Sequence, residues 1–441
     1  MLDEYGKKYL RVAVPSGFEG IFMVLLASAD LIMVASLGAE AVAAVGVFMQ
    51  PRMALLCFPR SWASAVTLLA ANYAGRGRRH SAVTLLKQSI TFGVVSLGLI
   101  HGVFWLLREF ILKIMGATPD YLPLASDYAA IATVAIYITA VTTVLQAVQL
   151  GFGNTAVIMR SNVAGNVVNV IVNALLIFGL GPFPRLGVVG AAVGTVIGTL
   201  VALGLTLVEL KKDGLLTGGR WIPGAIYFRR ILPIFGSVFS EQGFERIGML
   251  IFARIAADLG TVGFAVHNIC MNICDIYYCF AVGFSKASMV LAGQSCGRGS
   301  AFDWLRYRRV GIRWTLLFST ISFVLTVVFR KEIFSIYSDS PETLALSGTV
   351  MVLAALVSYP EAHALVAAGI LRGSGRTASV AAYSFVSVTI LRPIMTAIFF
   401  YVLGLGIVGI WMALLFDQCI RASCAEFLVH RLDYMRAPAK A

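Results

Sequence analysis

Asp30 is a carboxylic acid set deep in an apolar stretch, Ala13–Leu37. A charge inside a membrane-length apolar segment costs at least ~2.5 kcal/mol, so intramembrane acids mark ion or substrate pathways as a rule. The chemistry available to such a group is reversible binding of a proton, a metal cation or an organic cation. Glu19 stands eleven residues earlier, close to three helical turns, which puts both acids on one helix face. The C-terminal half holds four more embedded acids. Glu241 and Glu245 are one turn apart, Asp275 sits in mid-stretch and Glu361 follows Pro360. The structural alternative for these four is an ion pair with Arg246, Arg254, Lys286 or Arg392. Asn166, Asn169 and Asn173 recur at i, i+3 and i+7, a polar stripe on an apolar helix. Such amides bind a carboxylate and a hydrated cation, or join helices at ~0.6–2 kcal/mol each.

Two other patterns imitate sites. Gly293-Gln294-Ser295-Cys296-Gly297 fits the G-x-S-x-G elbow of hydrolases, which needs a strand before it and a helix after it. Here it closes an apolar helix. His267, Cys270 and Cys274 share a helix face, but a closed zinc site needs four ligands and no fourth is evident. Both are expected to be packing residues, as are the seven cysteines, all in or beside apolar segments.

The elements that position the acids are membrane helices. Of 441 residues, 59% are hydrophobic and 13% charged, with a mean hydropathy of +0.85, against about 25% charge in soluble domains. The fold class is therefore an all-α polytopic membrane protein. The net charge of +13 does not indicate nucleic acid, because the basic residues fall in short loops between apolar runs. A cleavable signal pattern is not seen ahead of the first span. About twelve transmembrane helices are expected, at 12–36, 43–73, 86–108, 122–150, 159–180, 187–210, 228–257, 262–294, 309–329, 342–370, 378–402 and 407–430. The tails and even-numbered connections hold 24 Lys and Arg, Arg436 and Lys440 among them, and the odd-numbered connections five. That bias puts both termini in the cytoplasm.

The chain repeats itself. Leu37-Gly38, Gly75-Arg76-Gly77 and Gly153-Asn154-Thr155 recur 222 residues later as Leu259-Gly260, Gly297-Arg298-Gly299 and Gly375-Arg376-Thr377. Leu186–Gly190 recurs after 219 residues as Leu405–Gly409, and Glu19 and Glu241 also differ by 222. Two halves of six spans each, 1–215 and 216–441, share one orientation. They form two pseudo-symmetric six-helix lobes related by an axis along the membrane normal, a plan in which transporters bind cargo at the repeat interface. Pro51 and Pro360 fall inside spans and kink them, a structural role that also suits a bend alternating during transport. Gly190, Gly194 and Gly198 form a doubled small-xxx-small row for close helix packing.

These marks together resemble the multidrug and toxic compound extrusion (MATE) transporters over nearly all twelve spans. The resemblance is carried by Pro15, by Asp30 ahead of Leu37-Gly38, by Gly153-Asn154-Thr155, by Asn169 and Asn173, and by Leu186-Gly187-Val188-Val189-Gly190-Ala191-Ala192. Glu245, Gly260, Gly293-Gln294, Leu371-Arg372-Gly373 and Arg392 fit it in the second half. It implies two V-shaped lobes around a central cavity and export of organic cations driven by proton or sodium entry. It places Asp30, Asn169 and Asn173 at the proton-linked site of DinF-like members, with Asn173 where that branch often has Asp. It places Glu245 and Glu361 at the cation-linked acids of NorM-like members, a sodium site there, with Glu361 in place of an aspartate.

The expected function is thus antiport of organic cations or drugs against protons or sodium by alternating access, in the plasma (inner) membrane. The residues expected to carry it are Asp30, Asn169, Asn173, Glu241, Glu245, Asp275 and Glu361. The expected partners are organic cations and the bilayer, with a monomeric carrier and no cofactor beyond the coupling ion. The rival transport reading is a flippase for lipid or lipid-linked saccharide, which calls for a strongly basic cavity. Mid-span cations are few beside several acids, which favours cationic cargo. An enzyme needs a catalytic cluster, and the five histidines are scattered.

Overall fold

The computed structural model describes residues 3–337 and 341–432; Arg436 and Lys440 of the basic tail lie outside the described residues. The helices in chain order are α1 (Glu4–Ala35), α2 (Ala39–Gly75), α3 (Arg79–Ile114), α4 (Leu122–Gly151), α5 (Thr155–Phe178), α6 (Gly187–Lys212) and α7 (Ala225–Ala257). They continue as α8 (Gly260–Arg298), α9 (Ala301–Val328), the short α10 (Arg330–Ser335), α11 (Pro341–Gly373), α12 (Thr377–Ser384), α13 (Arg392–Ala397) and α14 (Gly406–His430). Two π-helical segments, Phe385–Leu391 and Ile398–Val402, flank α13. No strand occurs among the described residues.

Among the described residues, eleven helical segments are long and apolar enough to cross a membrane, the stretch Thr377–Val402 counting as one. The twelfth expected span is α7, 33 residues long, whose apolar run is interrupted by Glu241, Glu245, Arg246 and Arg254. The helices run through Pro15, Pro51, Pro233 and Pro360. The repeated glycines mark the ends of helices. Gly77 and Gly299 have φ of 68° and 69°, and Gly153 and Gly375 have 83° and 79°, a region L side chains avoid. The sequence repeat thus records where the backbone must leave a helix.

The chain forms two compact units. The N-terminal unit is Phe18–Phe235, and the C-terminal unit is Met1–Gly17 with Gly236–Ala441. The expected boundary at 215 follows the sequence repeat; the packing divides the chain inside α1 and α7 instead. The reason lies in the first turns of each helix. Tyr9 is buried in the C-terminal unit, where its hydroxyl donates to the Phe284 carbonyl at 2.9 Å and meets Ser288 Oγ at 2.9 Å. Tyr227 is buried in the N-terminal unit, where its hydroxyl donates to Ser89 Oγ at 3.0 Å, and Phe235 packs edge-on to Phe58 and Trp62.

The two units repeat one packing scheme. In the N-terminal unit α4 packs against α2, α3 and α6, and α6 against α5. In the C-terminal unit α11 packs against α8, α9 and α14, and α14 against the segment from α12 to the second π-helical stretch. The N-terminal core gathers around Trp62, stacked on Phe92 with ring centroids 4.4 Å apart. The C-terminal core has two centres, one around Tyr9 and Trp304 and one around Phe252 and Trp411. All seven cysteines are free.

Candidate functional site: embedded carboxylates in each unit

In the N-terminal unit α1 and α5 meet along a polar seam. Asn173 donates its amide to Asp30 Oδ1 at 2.8 Å. Asn166 donates to Met23 Sδ at 3.0 Å and to the Asn162 carbonyl at 2.7 Å. Asn162 donates to Glu19. Residues 19, 23 and 30 of α1 meet 162, 166 and 173 of α5 at one constant separation of 143, as expected of parallel neighbouring helices in register. The network continues inward: Gln146 of α4 donates to Asn162 Oδ1 at 2.9 Å and to Thr206 Oγ1 of α6 at 3.0 Å.

The glycine row on α6 and the asparagine row on α5 prove to be one contact. A side chain at Gly194 would collide with Asn173, and one at Gly198 would stand 2.5 Å from the Asn169 Cβ and 2.6 Å from the Gly165 carbonyl. Asn169 donates to Thr195 Oγ1 at 3.2 Å, so its hydrogen bond runs to α6. Asn173 is 1% exposed, and its Oδ1 has no hydrogen-bond partner among the described residues. That oxygen lies against Gly194 of α6, while the amide N–H of Asn173 faces Asp30.

In the C-terminal unit the acids separate into two sets. Glu241 is 2% exposed and held by Arg372 at 2.5 Å, with Arg421 at 3.9 Å and the Ser384 hydroxyl at 3.5 Å. Glu245 is held by Arg421. Asp275 and Glu361 make no hydrogen bond or ion pair among the described residues. Asp275 is exposed on the protein surface, and Glu361 is half-buried within electrostatic reach of Arg392 and Arg421.

Sequence reasoning missed three members of this cluster. Arg372, near the end of α11, and Arg421, within α14, turn inward to Glu241 and Glu245. Asp417 of α14 forms a buried ion pair with Arg392, at 2.6 Å to Nη2 and 2.9 Å to Nε, and accepts from Ser387. The signal was present: Asp417 and Arg421 are four residues apart in an apolar run, facing one side of a helix.

The two imitations are core residues. Ser295 is buried and donates back to the Leu291 carbonyl at 2.8 Å within α8, as helical serines do. His267 packs among the rings of Phe252, Phe264 and Trp411.

Comparison with known proteins agrees with this architecture. The MatE family profile matches residues 15–175 and 233–398. The chain is 26% identical over 443 residues to a probable multidrug resistance protein NorM of Rhizobium meliloti, covering 96% of this chain and 92% of that protein. It is 25% identical over 425 residues to a probable multidrug resistance protein NorM of Thermotoga maritima, covering 96% and 91%. The crystal structure of a MATE transporter in its bent conformation superposes with a TM-score of 0.90 at 19% identity, over 99% of this chain and 96% of that one. With its helices repeated in two units and the family profile spanning both, the chain belongs to the MatE family, the multidrug and toxic compound extrusion transporters.

Proposed function

We propose that the protein exports organic cations, drugs among them, in exchange for protons or sodium entering the cell. The carrying observation is that Asp30, Asp275 and Glu361 stay outside the ion pairs that hold Glu241 and Glu245. An acid in permanent contact with a guanidinium has no site to offer a cation; an acid held by an amide, as Asp30 is, has one. Entry of the small cation at such an acid excludes the organic one, and the competition biases the units between inward- and outward-facing states. Asn173 positions Asp30 through its amide N–H. The names of the relatives, probable multidrug resistance proteins, support drugs as cargo. The charge bias of the loops supports cytoplasmic termini in the plasma membrane.

A flippase for anionic lipid-linked cargo is less well supported. Its basic groups would be Arg372, Arg392 and Arg421, and each of these guanidiniums is held by a carboxylate.

The test is uptake of a cationic dye, ethidium, into inverted membrane vesicles, the equivalent of efflux from the cell, with proton and sodium gradients collapsed separately. Loss of efflux with one gradient identifies the coupling ion. Normal efflux by both Asp30→Asn and Glu361→Gln removes the proposed coupling residues.

A further inference from the structure

We propose that Arg52 of α2 is a built-in counter-ion for Asp30: its guanidinium holds the acid when neither cargo nor coupling ion is bound, and each of these must displace it to bind. The inference rests on the reading of the protein as a cation-coupled exporter. It deepens that reading by naming the residue that sets how tightly the N-terminal unit holds a cation.

Four helices bring polar groups together beside one apolar cluster of the N-terminal unit. Val34 of α1, Val45 of α2 and Ile177 of α5 belong to that cluster, with Tyr128 of α4 packed against it. Asp30 lies one turn from Val34 on the same face of α1, and Asn173 one turn from Ile177 on the same face of α5. There the Asn173 amide donates to Asp30 Oδ1 at 2.8 Å. On α2 the face of Val45 continues through Phe48 to Arg52, at spacings of three and four. Phe48 meets the Tyr128 ring edge-on, with centroids 5.8 Å apart. Side chains on a helix lean toward its N-terminus, so Arg52 leans back over Phe48 toward Tyr128. Arg52 lies within electrostatic reach of both Tyr128 and Asp30.

Arg52 stands about 20 Å along α2 from Ala39, deep in a helix of 37 residues. A charge at such a depth is costly and marks a role. It is half-buried, and among the described residues it makes no hydrogen bond and no ion pair. The inward-facing arginines of the C-terminal unit differ, since Arg372, Arg392 and Arg421 are each held by a carboxylate. Asp30 is the complement of Arg52. One of its oxygens takes the Asn173 amide, and the other makes no hydrogen bond among the described residues. A guanidinium in fixed contact would close the acid to cations, and one out of reach would leave it bare when empty. A guanidinium close by but detached closes on the unloaded acid, in the geometry that suits arginine and carboxylate, and yields when a cation arrives.

The sequence repeat separates this arginine from the shared scaffold. The position of Arg52 in the second half, 222 residues on, is Cys274, an uncharged residue of the apolar core. The packing of this helix does not call for an arginine, and the N-terminal unit alone carries one beside its exchangeable acid.

Removing the counter-ion tightens binding and slows release. The experiment uses the purified full-length protein: ethidium binding by equilibrium dialysis, and ethidium transport in proteoliposomes at fixed ion gradients. In Arg52→Gln the ethidium dissociation constant is expected to fall on the order of tenfold, the effect of removing one nearby like charge at an effective dielectric of ~20. KM and kcat are expected to fall with it, because a cation without a competitor leaves slowly. Damage to the fold gives a different split, weaker binding together with lower kcat. Arg52→Lys keeps the charge and is expected to bind and transport close to wild type. Arg52→Met is a second uncharged variant and supplies the reading should Arg52→Gln fail to assemble. Asp275 and Glu361 of the C-terminal unit are the same in every variant, so their share of binding is common to all of them. Unchanged or weaker binding in the uncharged variants, or equal tightening in Arg52→Lys, overturns the counter-ion and leaves the exporter intact. Wild type that neither binds nor transports ethidium overturns both.

Discussion

Arg392 and Asp417 face each other in the interior of the C-terminal unit, 3% and 0% exposed, with the guanidinium making two hydrogen bonds to one carboxylate oxygen. The position has a counterpart in the other half. The 219-residue offset of the later repeat carries Gly198 onto Asp417, and Asn169, which packs on Gly198, corresponds to Arg392 with one residue added within the π-helical stretch Phe385–Leu391. One half joins these two helices by glycine and amide, the other by an ion pair. Removing one member of a buried pair strands the other charge and costs ~3–5 kcal/mol, whereas replacing both with apolar residues is often neutral. Arg392→Met and Asp417→Leu are each expected to lower the thermal unfolding midpoint in detergent sharply. The double variant is expected to recover most of the loss. Additive losses in the double variant would show that the two side chains act separately.

Asp30 is held by one neutral amide, and its removal should therefore spare the fold. Asp30→Asn keeps a polar group of the same shape beside Asn173 while abolishing the ionisable one. Ethidium uptake into inverted vesicles is expected to fall to background, with unfolding shifted by no more than ~1 kcal/mol, the scale of one hydrogen bond. Asn173→Leu is expected to weaken efflux less, since the acid remains but is no longer positioned. Efflux by Asp30→Asn at the wild-type rate contradicts the role given to Asp30.

Glu241 and Glu361 sit in one unit and should behave oppositely. Glu241→Gln leaves the half-buried Arg372 beside a neutral amide, and the principal expected effect is a loss of stability. Glu361→Gln breaks no ion pair among the described residues, and its expected effect is loss of ethidium efflux with little change in unfolding. Measuring efflux per folded molecule beside thermal unfolding for both variants separates the roles. A stable, inactive Glu241→Gln would move Glu241 back among the coupling residues.

The repeat and the helical class were legible because both are written in local patterns: apolar runs of membrane length and glycines where the backbone takes positive φ. Asn166, Asn169 and Asn173 were legible as a face, although Asn162, one turn earlier and bound to Glu19, escaped notice. The partners of Glu241 and Glu245 were not legible. Arg372 lies in the last turn of α11, where a basic residue that reaches inward has the same sequence context as one that reaches the headgroups, and the inward turn of Arg421 within α14 depends on helix packing that the sequence does not show. The division of α1 and α7 between units was hidden for a related reason. A continuous helix carries no local mark of the point at which its packing partners change, and only the burial of Tyr9 and Tyr227 in different units reveals it. The π-helical stretches around α13 were likewise invisible, since one extra residue in a helix leaves its composition unchanged.

Gly198 and Gly204 stand on the same helix, α6, and make opposite predictions. A Cβ on Gly198 meets Asn169 and the Gly165 carbonyl, so Gly198→Val must push α5 and α6 apart. Overpacking of this kind costs ~1–3 kcal/mol. It also displaces Asn169 and, one turn on, Asn173, so efflux should fall together with stability. Gly204 has open space where its Cβ would be and ordinary helical backbone. Gly204→Ala there removes only the excess flexibility of glycine and is expected to stabilise by ~0.5–1 kcal/mol with efflux unchanged. Thermal unfolding and ethidium efflux of the two variants, measured together, decide whether the close approach of α5 and α6 holds the Asp30 site in place. A Gly198→Val protein that is destabilised yet exports normally when folded would confine the glycine row to packing alone.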